Sequence, residues 1–351
     1  MSEANAATEV RVVWQGGLCR ITLDRPRAIN ALTLPMLRAI REALDVSLDD
    51  GGVLAIAMDG AGERGLCAGG DIRAIYHSVQ AGDGLAETFW REEYALNALI
   101  AAYPKPYAVL MDGLVMGGGV GISAHGSHRF VTARTALAMP ETGLGFFPDV
   151  GGTWLLARAP EEIGTYLGLT GARVDAADAI SCGLADAQIE REQWPLLVEQ
   201  LAAAKTKREA EDLLASFGTR AAKGAGLEQN RMAIDAAFSG ESIEQVLDAL
   251  QRMGTQFALQ TYTALGDRSP MALKVTLAAL RRARTLKSLE ECLSMELHLA
   301  RAMSARPDFL EGIRAAVIDK DQKPKWTPAR LEDVSAESVA RIIDGTVEQR
   351  S

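Results

Sequence analysis

The chain has 351 residues, 48% hydrophobic and 24% charged, an ordinary globular composition long enough for one large domain and a smaller appendage. A formal net charge of −9 and a pI near 5.2 argue against general affinity for nucleic acid or an anionic membrane surface, both of which need clustered Lys and Arg. A phosphate-bearing ligand has to be met instead by local basic residues or backbone N–H groups.

Val10–Trp14 and Leu18–Leu23, on either side of Gly16-Gly17, read as a hairpin, because Cys19, Ile21 and Leu23 alternate with Arg20 and Thr22. Thr33 is placed to cap a helix on which Leu37, Ile40 and Leu44 share a face. Residues 53–58 read as a buried strand, 86–102 as a helix, 107–111 as a strand, 117–125 as a Gly-rich turn entering a helix, and 129–138 as a further strand pair. Strand, Gly turn and helix recur in that order, so each cycle delivers a Gly-rich turn to a helix start. From about residue 160 the pattern is almost wholly helical, with a charged stretch at 205–212, read as a solvated helix or linker, and an amphipathic run at 273–284. With aromatics at only 5%, the expected fold is mixed α/β: a strand-and-helix core over residues 1–205 and a helical region over 206–351 that covers the core and assists association.

Cys19, Cys67, Cys182 and Cys292 are far apart, without CxxC or metal-ligand spacing, and read as reduced thiols of a cytoplasmic protein. No apolar run approaches the roughly 20 residues of a membrane helix. Residues 1–8 lack the basic-then-apolar pattern of a signal peptide.

Three constellations carry chemistry. Cys67-Ala68-Gly69-Gly70-Asp71-Ile72 and Met116-Gly117-Gly118-Gly119-Val120-Gly121 are turns through which backbone N–H groups can be aimed at one spot. One N–H from each would make an oxyanion hole. The third, Met139 to Gly152, carries Glu141 and Asp149 in a loop rich in Gly, Pro and Phe, where burial can raise one carboxyl while the other stays ionised. The histidines, His77, His125, His128 and His298, have no Ser or Cys in a nucleophile-elbow setting, while Cys67, beside the first turn, is placed where a nucleophile could stand.

Arg25 to Leu32, Cys67 to Arg73, Met116 to Gly121 and Met139 to Gly152 resemble, in order and spacing, the signature segments of the crotonase (enoyl-CoA hydratase/isomerase) superfamily. Phe89 to Tyr94, Ser269 to Thr276, and Asp308 to Arg314 running on to Trp326 resemble its 3-hydroxyisobutyryl-CoA hydrolase branch. The resemblance implies a ββα spiral core and an acyl-CoA substrate, with CoA entering as part of that substrate and no metal or other cofactor. It implies that the Gly70 and Gly118 N–H groups hold the thioester oxygen and that the Ala68 carbonyl meets adenine. Arg27, Ala28 and Ala31 fall in its CoA-binding segment, with Asp71 and Ile72 beside the first Gly turn, where Asp71 is expected to hold the turn in place. Glu141 is its catalytic carboxylate, Asp149 the second acid of the hydrolase branch, and Glu93 a substrate-contacting glutamate, while the resemblance makes Cys67 a small buried packing residue and not a nucleophile.

One departure separates activities. Enoyl-CoA hydratases of the family carry a second glutamate three residues beyond the middle glycine of the GGG turn, and here that position is Gly121. The reading is therefore hydrolysis of a short 3-hydroxyacyl-CoA, with Glu141 as nucleophile or general base. Hydratase or isomerase activity and non-catalytic acyl-CoA binding stand as alternatives. Acyl-chain preference and oligomeric state are left open.

Overall fold

Strands β1 (Val10–Gln15) and β2 (Leu18–Leu23) form the expected hairpin, with Val12 opposite Ile21. β3 (Ala55–Gly60), β5 (Tyr107–Met111), β7 (His128–Val131) and β9 (Ala187–Gln188) then add in parallel, so that the six-stranded sheet runs β1-β2-β3-β5-β7-β9. β4 (Gly65–Cys67), β6 (Leu114–Met116) and β8 (Ala136–Ala138) make a second, three-stranded sheet. The computed structural model describes residues 9–219 and 226–345, so the stretch 1–8 read for a leader lies outside the described residues.

The two sheets are the ββα spiral. Each of the pairs β3/β4, β5/β6 and β7/β8 sends its first strand to the large sheet and its second to the small one. The expected strand pair at 129–138 is corrected by this: β7 and β8 are consecutive but lie in different sheets. β3 starts two residues later than expected, because Val53 N–H is turned back to the Asp50 carbonyl at 3.1 Å. Parallel strands buried on both faces read as unbroken apolar runs, and Tyr107–Met111 is buried throughout.

The described residues of 1–70, 95–137 and 174–224 form one compact unit, and those of 71–94, 138–173 and 225–351 another. In the first, helix α1 (Leu34–Asp49) is capped by Thr33, whose hydroxyl accepts Met36 N–H at 3.3 Å, and buries Leu37, Ile40 and Leu44 as expected. Leu18, Ala57, Leu110 and Phe130 of the large sheet share a core with Trp194, Leu197, Leu201 and Leu214. Each Leu or Phe side chain of this set contributes about 1.5–3 kcal/mol when taken from water. Those last four come from helices Gln193–Ala203 and Lys207–Ser216, so the division expected near residue 205 falls inside this unit. The charged stretch is the exposed face of the second helix, with Lys207–Glu211 and Arg208–Asp212 pairs on its surface and Ala210 and Leu214 beneath.

The second unit is helical. It holds α2 (Ile72–Ala81), the first part of α3 (Leu85–Ala101), and the C-terminal helices Pro270–Ala283, Leu289–Ser304 and Pro307–Ile313. The run expected to be amphipathic is so: Leu273, Val275, Leu277 and Leu280 are buried, while Lys274, Ala278, Arg281 and Arg282 make a less buried stripe at helical spacing. No helix among the described residues is long and apolar enough to cross a membrane.

Candidate active site

In the first unit, β4 and β6 are parallel neighbours, and each ends in a Gly turn. Gly69 and Gly117 have φ of +106° and +47°, conformations that side-chain-bearing residues rarely adopt. The turns touch backbone to backbone: a Cβ on Gly69 would lie 3.3 Å from the Met116 carbonyl oxygen and 3.7 Å from Gly118 N, and one on Gly119 only 2.6 Å from the Cys67 carbonyl oxygen. Gly118 is the first residue of the short helix α4 (Gly118–Gly121), so its N–H has no acceptor within the helix. The Cys67 thiol is buried and lies 3.2 Å from the Asn30 carbonyl, the packing role expected of it.

The segment 25–32 is fastened to the first turn. Ala68 N–H donates to the Ile29 carbonyl at 2.9 Å and Leu32 N–H to the Gly69 carbonyl at 2.8 Å. Asn30, fully buried, is the fastener that sequence reading did not single out: its Oδ1 accepts Arg25 N–H at 2.9 Å, and its Nδ2 faces the carbonyls of Ala61, Gly65 and Leu66 at 3.0, 3.2 and 3.0 Å. The structure thus gathers Arg27, Ala28, Ala31, Ala68, Gly70 and Gly118 in one unit, with Arg27 exposed and Ala28, Ala31 and Ala68 partly so.

The second unit gathers the acids. β8 runs into a tight turn at Glu141–Leu144, and a further turn at Asp149 leads into α5 (Gly152–Ala157). Glu93, Glu141 and Asp149 are 2%, 7% and 6% exposed. Trp90 stacks on Phe146 at 5.7 Å between ring centres, and Phe309 lies 5.1 Å from Phe146. Burial holds Glu93 and Glu141 well above the usual carboxylate range, and the charge of Asp149 pushes both further. Asp149 is raised less, to about 6, because Tyr94 donates its hydroxyl to Oδ2 at 2.7 Å and so favours the ionised form. Of the three acids, Asp149 is thus the one whose surroundings most favour the ionised form. Glu93 Oε1 and Glu141 Oε2 are buried without a hydrogen-bond partner among the described residues.

The loop carrying Glu141 is clamped by the C-terminal helices. Ser269 N–H donates to the Thr142 carbonyl at 3.4 Å, and the Ser269 hydroxyl donates to buried Asp308. A Cβ on Gly145 would fall 2.4 Å from the Asp308 carbonyl oxygen, and one on Gly312 2.4 Å from the Leu144 carbonyl carbon. The stretches Ser269–Thr276 and Asp308–Arg314, quoted above for resemblance alone, are where this clamp is built. Asp71 is the N-cap of α2, accepting Ala74 N–H at 3.2 Å, and Ile72 is the first residue of that helix, so both sit where the Gly turn hands over to α2. Sequence reading missed Tyr94, which stood next to Glu93, and Glu296, a fully buried acid on the helix Leu289–Ser304 with no local motif around it.

The family model described as enoyl-CoA hydratase/isomerase matches residues 18–343. The mitochondrial 3-hydroxyisobutyryl-CoA hydrolase of Rattus norvegicus is 41% identical over 97% of this chain and 89% of its own length, and that of Homo sapiens 40% over 95% and 88%. The crystal structure of a carnitinyl-CoA dehydratase from Mycobacterium thermoresistibile superposes with a TM-score of 0.90 at 42% identity, covering 95% of this chain and 96% of that one. That of an enoyl-CoA hydratase from Rhodobacter sphaeroides gives 0.89 at 40%, covering 95% and 97%. Matched along almost its whole length in both sequence and fold, the chain belongs to the enoyl-CoA hydratase/isomerase, or crotonase, family of acyl-CoA enzymes.

Proposed function

We propose that this enzyme hydrolyses a short 3-hydroxyacyl-CoA thioester, with 3-hydroxyisobutyryl-CoA as the preferred candidate, to the free acid and CoA. The observation that carries the reading is the buried pair of Glu141 and Asp149, with Gly121 standing where the family's hydratases keep their second glutamate. The near-full-length likeness to proteins named 3-hydroxyisobutyryl-CoA hydrolase supports it.

In this mechanism the Gly70 and Gly118 N–H groups hold the thioester oxygen as it gains charge, a type of contact whose loss typically slows acyl transfer by on the order of 10²–10³. Arg27, Ala28, Ala31 and Ala68 contact the CoA portion, and Asp71 and Ile72 complete the substrate-binding set beside the first Gly turn, which Asp71 holds in place. Glu93 and ionised Asp149 receive the substrate hydroxyl or aim the water, roles for which Glu93 Oε1 is an open acceptor. Glu141 attacks the carbonyl to give a transient anhydride, or removes a proton from attacking water. On either route the C–S bond breaks and the departing thiolate takes up a proton. On the general-base route water supplies the oxygen of the free acid. On the anhydride route water opens the anhydride at the Glu141 carboxyl carbon, so that the acid leaves with a former Glu141 oxygen and the oxygen of water stays on Glu141. Both routes need Glu141 deprotonated, and the burial that raises its carboxyl makes activity rise with pH on the acid side.

The test is free-thiol release from acyl-CoA esters with and without a 3-hydroxyl, by wild type and Glu141→Ala. Release confined to the hydroxylated esters, and reduced at least about 100-fold in the variant, is the expected result. A second reading, hydration or dehydration, is favoured by the activities named for the two solved relatives. Crotonyl-CoA hydration without thiol release from any ester would select it. Single turnover in isotope-labelled water separates the two hydrolytic routes, since only the anhydride route leaves label in the Glu141 carboxyl.

A further inference from the structure

Glu296 has no exposed surface, and both its oxygens are engaged with the turn that follows Asp149. Oε2 accepts the Gly151 N–H at 2.6 Å. Oε1 accepts the Thr153 N–H at 3.0 Å and the Thr153 hydroxyl at 2.5 Å. Cys292, one turn earlier on the same helix, places its Sγ 3.0 Å from Thr153 Oγ1.

We propose that Glu296 is the positioning residue for Asp149: it grips the residues immediately after Asp149 and so sets where that carboxylate points. The inference rests on the hydrolase reading, in which Asp149 aims the water or holds the substrate hydroxyl. Two observations carry it. Val150 and Gly151 have φ of +56° and +77°, and a β-branched residue stays in that region only where its surroundings hold it there. The Gly152 N–H closing on the Asp149 carbonyl at 2.6 Å holds this turn from within, and Glu296 holds it from a helix far along the chain. The second observation is the chemistry of the grip. Two of the three donors are peptide N–H groups, which cannot become acceptors. A glutamine at 296 would therefore turn its own NH2 group against at least one of them, whichever way it flipped.

The test compares thiol release by wild type, Glu296→Gln, Thr153→Val, Asp149→Asn and the double variants of each of the first two with Asp149→Asn. Glu296→Gln is expected to lower kcat about 10- to 100-fold with KM changed by less than about threefold, and Thr153→Val, which deletes one donor and leaves the Glu296 carboxyl in place, to lower it about three- to tenfold. Each double variant is expected to be no slower than Asp149→Asn alone, because a residue that acts through Asp149 then has nothing to act on. Effects that multiply in the double variants overturn the proposal, as does wild-type kcat in Glu296→Gln. Should Glu296→Gln fail to fold, Thr153→Val and its double carry the same comparison. If the wild type releases no thiol from any ester, it is the hydrolase reading that fails. The grip is then read from the Asp149 carboxyl carbon resonance, assigned by its loss in Asp149→Asn: a shift in Thr153→Val supports the positioning role, and an unmoved resonance overturns it.

Discussion

Tyr94 brings one hydroxyl to the buried acid cluster, and it goes to Asp149. Its bond to Asp149 Oδ2 is the main influence that lowers a carboxyl otherwise raised by burial. Removing it in Tyr94→Phe should move Asp149 upward from about 6. In the proposed mechanism Asp149 works ionised, so the lower of the two breaks on the acid limb of the kcat/KM profile, below the one set by Glu141, should then shift to higher pH, by about one unit if the bond is worth about 1.4 kcal/mol. A profile identical to wild type would show that Asp149 ionisation does not govern the reaction. Glu93 and Asp149 were picked out from the sequence as residues, but their difference in protonation was not, because it depends on Tyr94 meeting Asp149 across 55 positions.

The helices near the C-terminus shape the catalytic loop by close backbone approach. Gly312 lies inside Pro307–Ile313, where glycine is ordinarily worse than alanine by about 0.5–1 kcal/mol. Here the added Cβ would lie 2.4 Å from the backbone of Leu144, in the turn that begins with Glu141. Gly312→Ala is therefore expected to reverse the usual sign, destabilising the fold by about 1–3 kcal/mol and lowering kcat as the turn is displaced. Denaturant unfolding checks the first and thiol release the second, and a stabilised variant with full activity would contradict the clamp. Among the elements, the hairpin, the Thr33 cap and the strand at Tyr107–Met111 were legible because each rests on local periodicity or turn chemistry. The assignment of β7 and β8 to separate sheets was not, because neighbours in a sheet are chosen by distant strands.

For the molecule as a whole, burying Glu93, Glu141, Asp149 and Glu296 ties stability to pH. Asp149 rises from 3.8 to about 6 on folding, so the folded state binds its proton more tightly. That contribution is fully present below the unfolded value and is lost as pH rises through about 6, amounting to at most about 3 kcal/mol. Glu296, raised to about 8, extends the same sign of effect upward, while burial is partly offset by the Thr153 and Gly151 donors. The Asp149→Asn variant should thus melt above the wild type by a margin that opens between about pH 4 and 6 and then levels, as measured by calorimetry across that range. A margin that is constant with pH would mean Asp149 folds with an unshifted carboxyl.

The order of the signature segments, the two Gly turns and the pair Glu141 and Asp149 are properties of the sequence by itself, since glycine-rich turns and a loop of Gly, Pro and Phe declare their backbone needs locally. The unit boundaries, the Asn30 fastener, the Ser269–Asp308 clamp and the Glu296 grip were decided by the tertiary structure alone. Each of them joins groups that the chain keeps far apart and that only burial obliges to satisfy one another's hydrogen bonds.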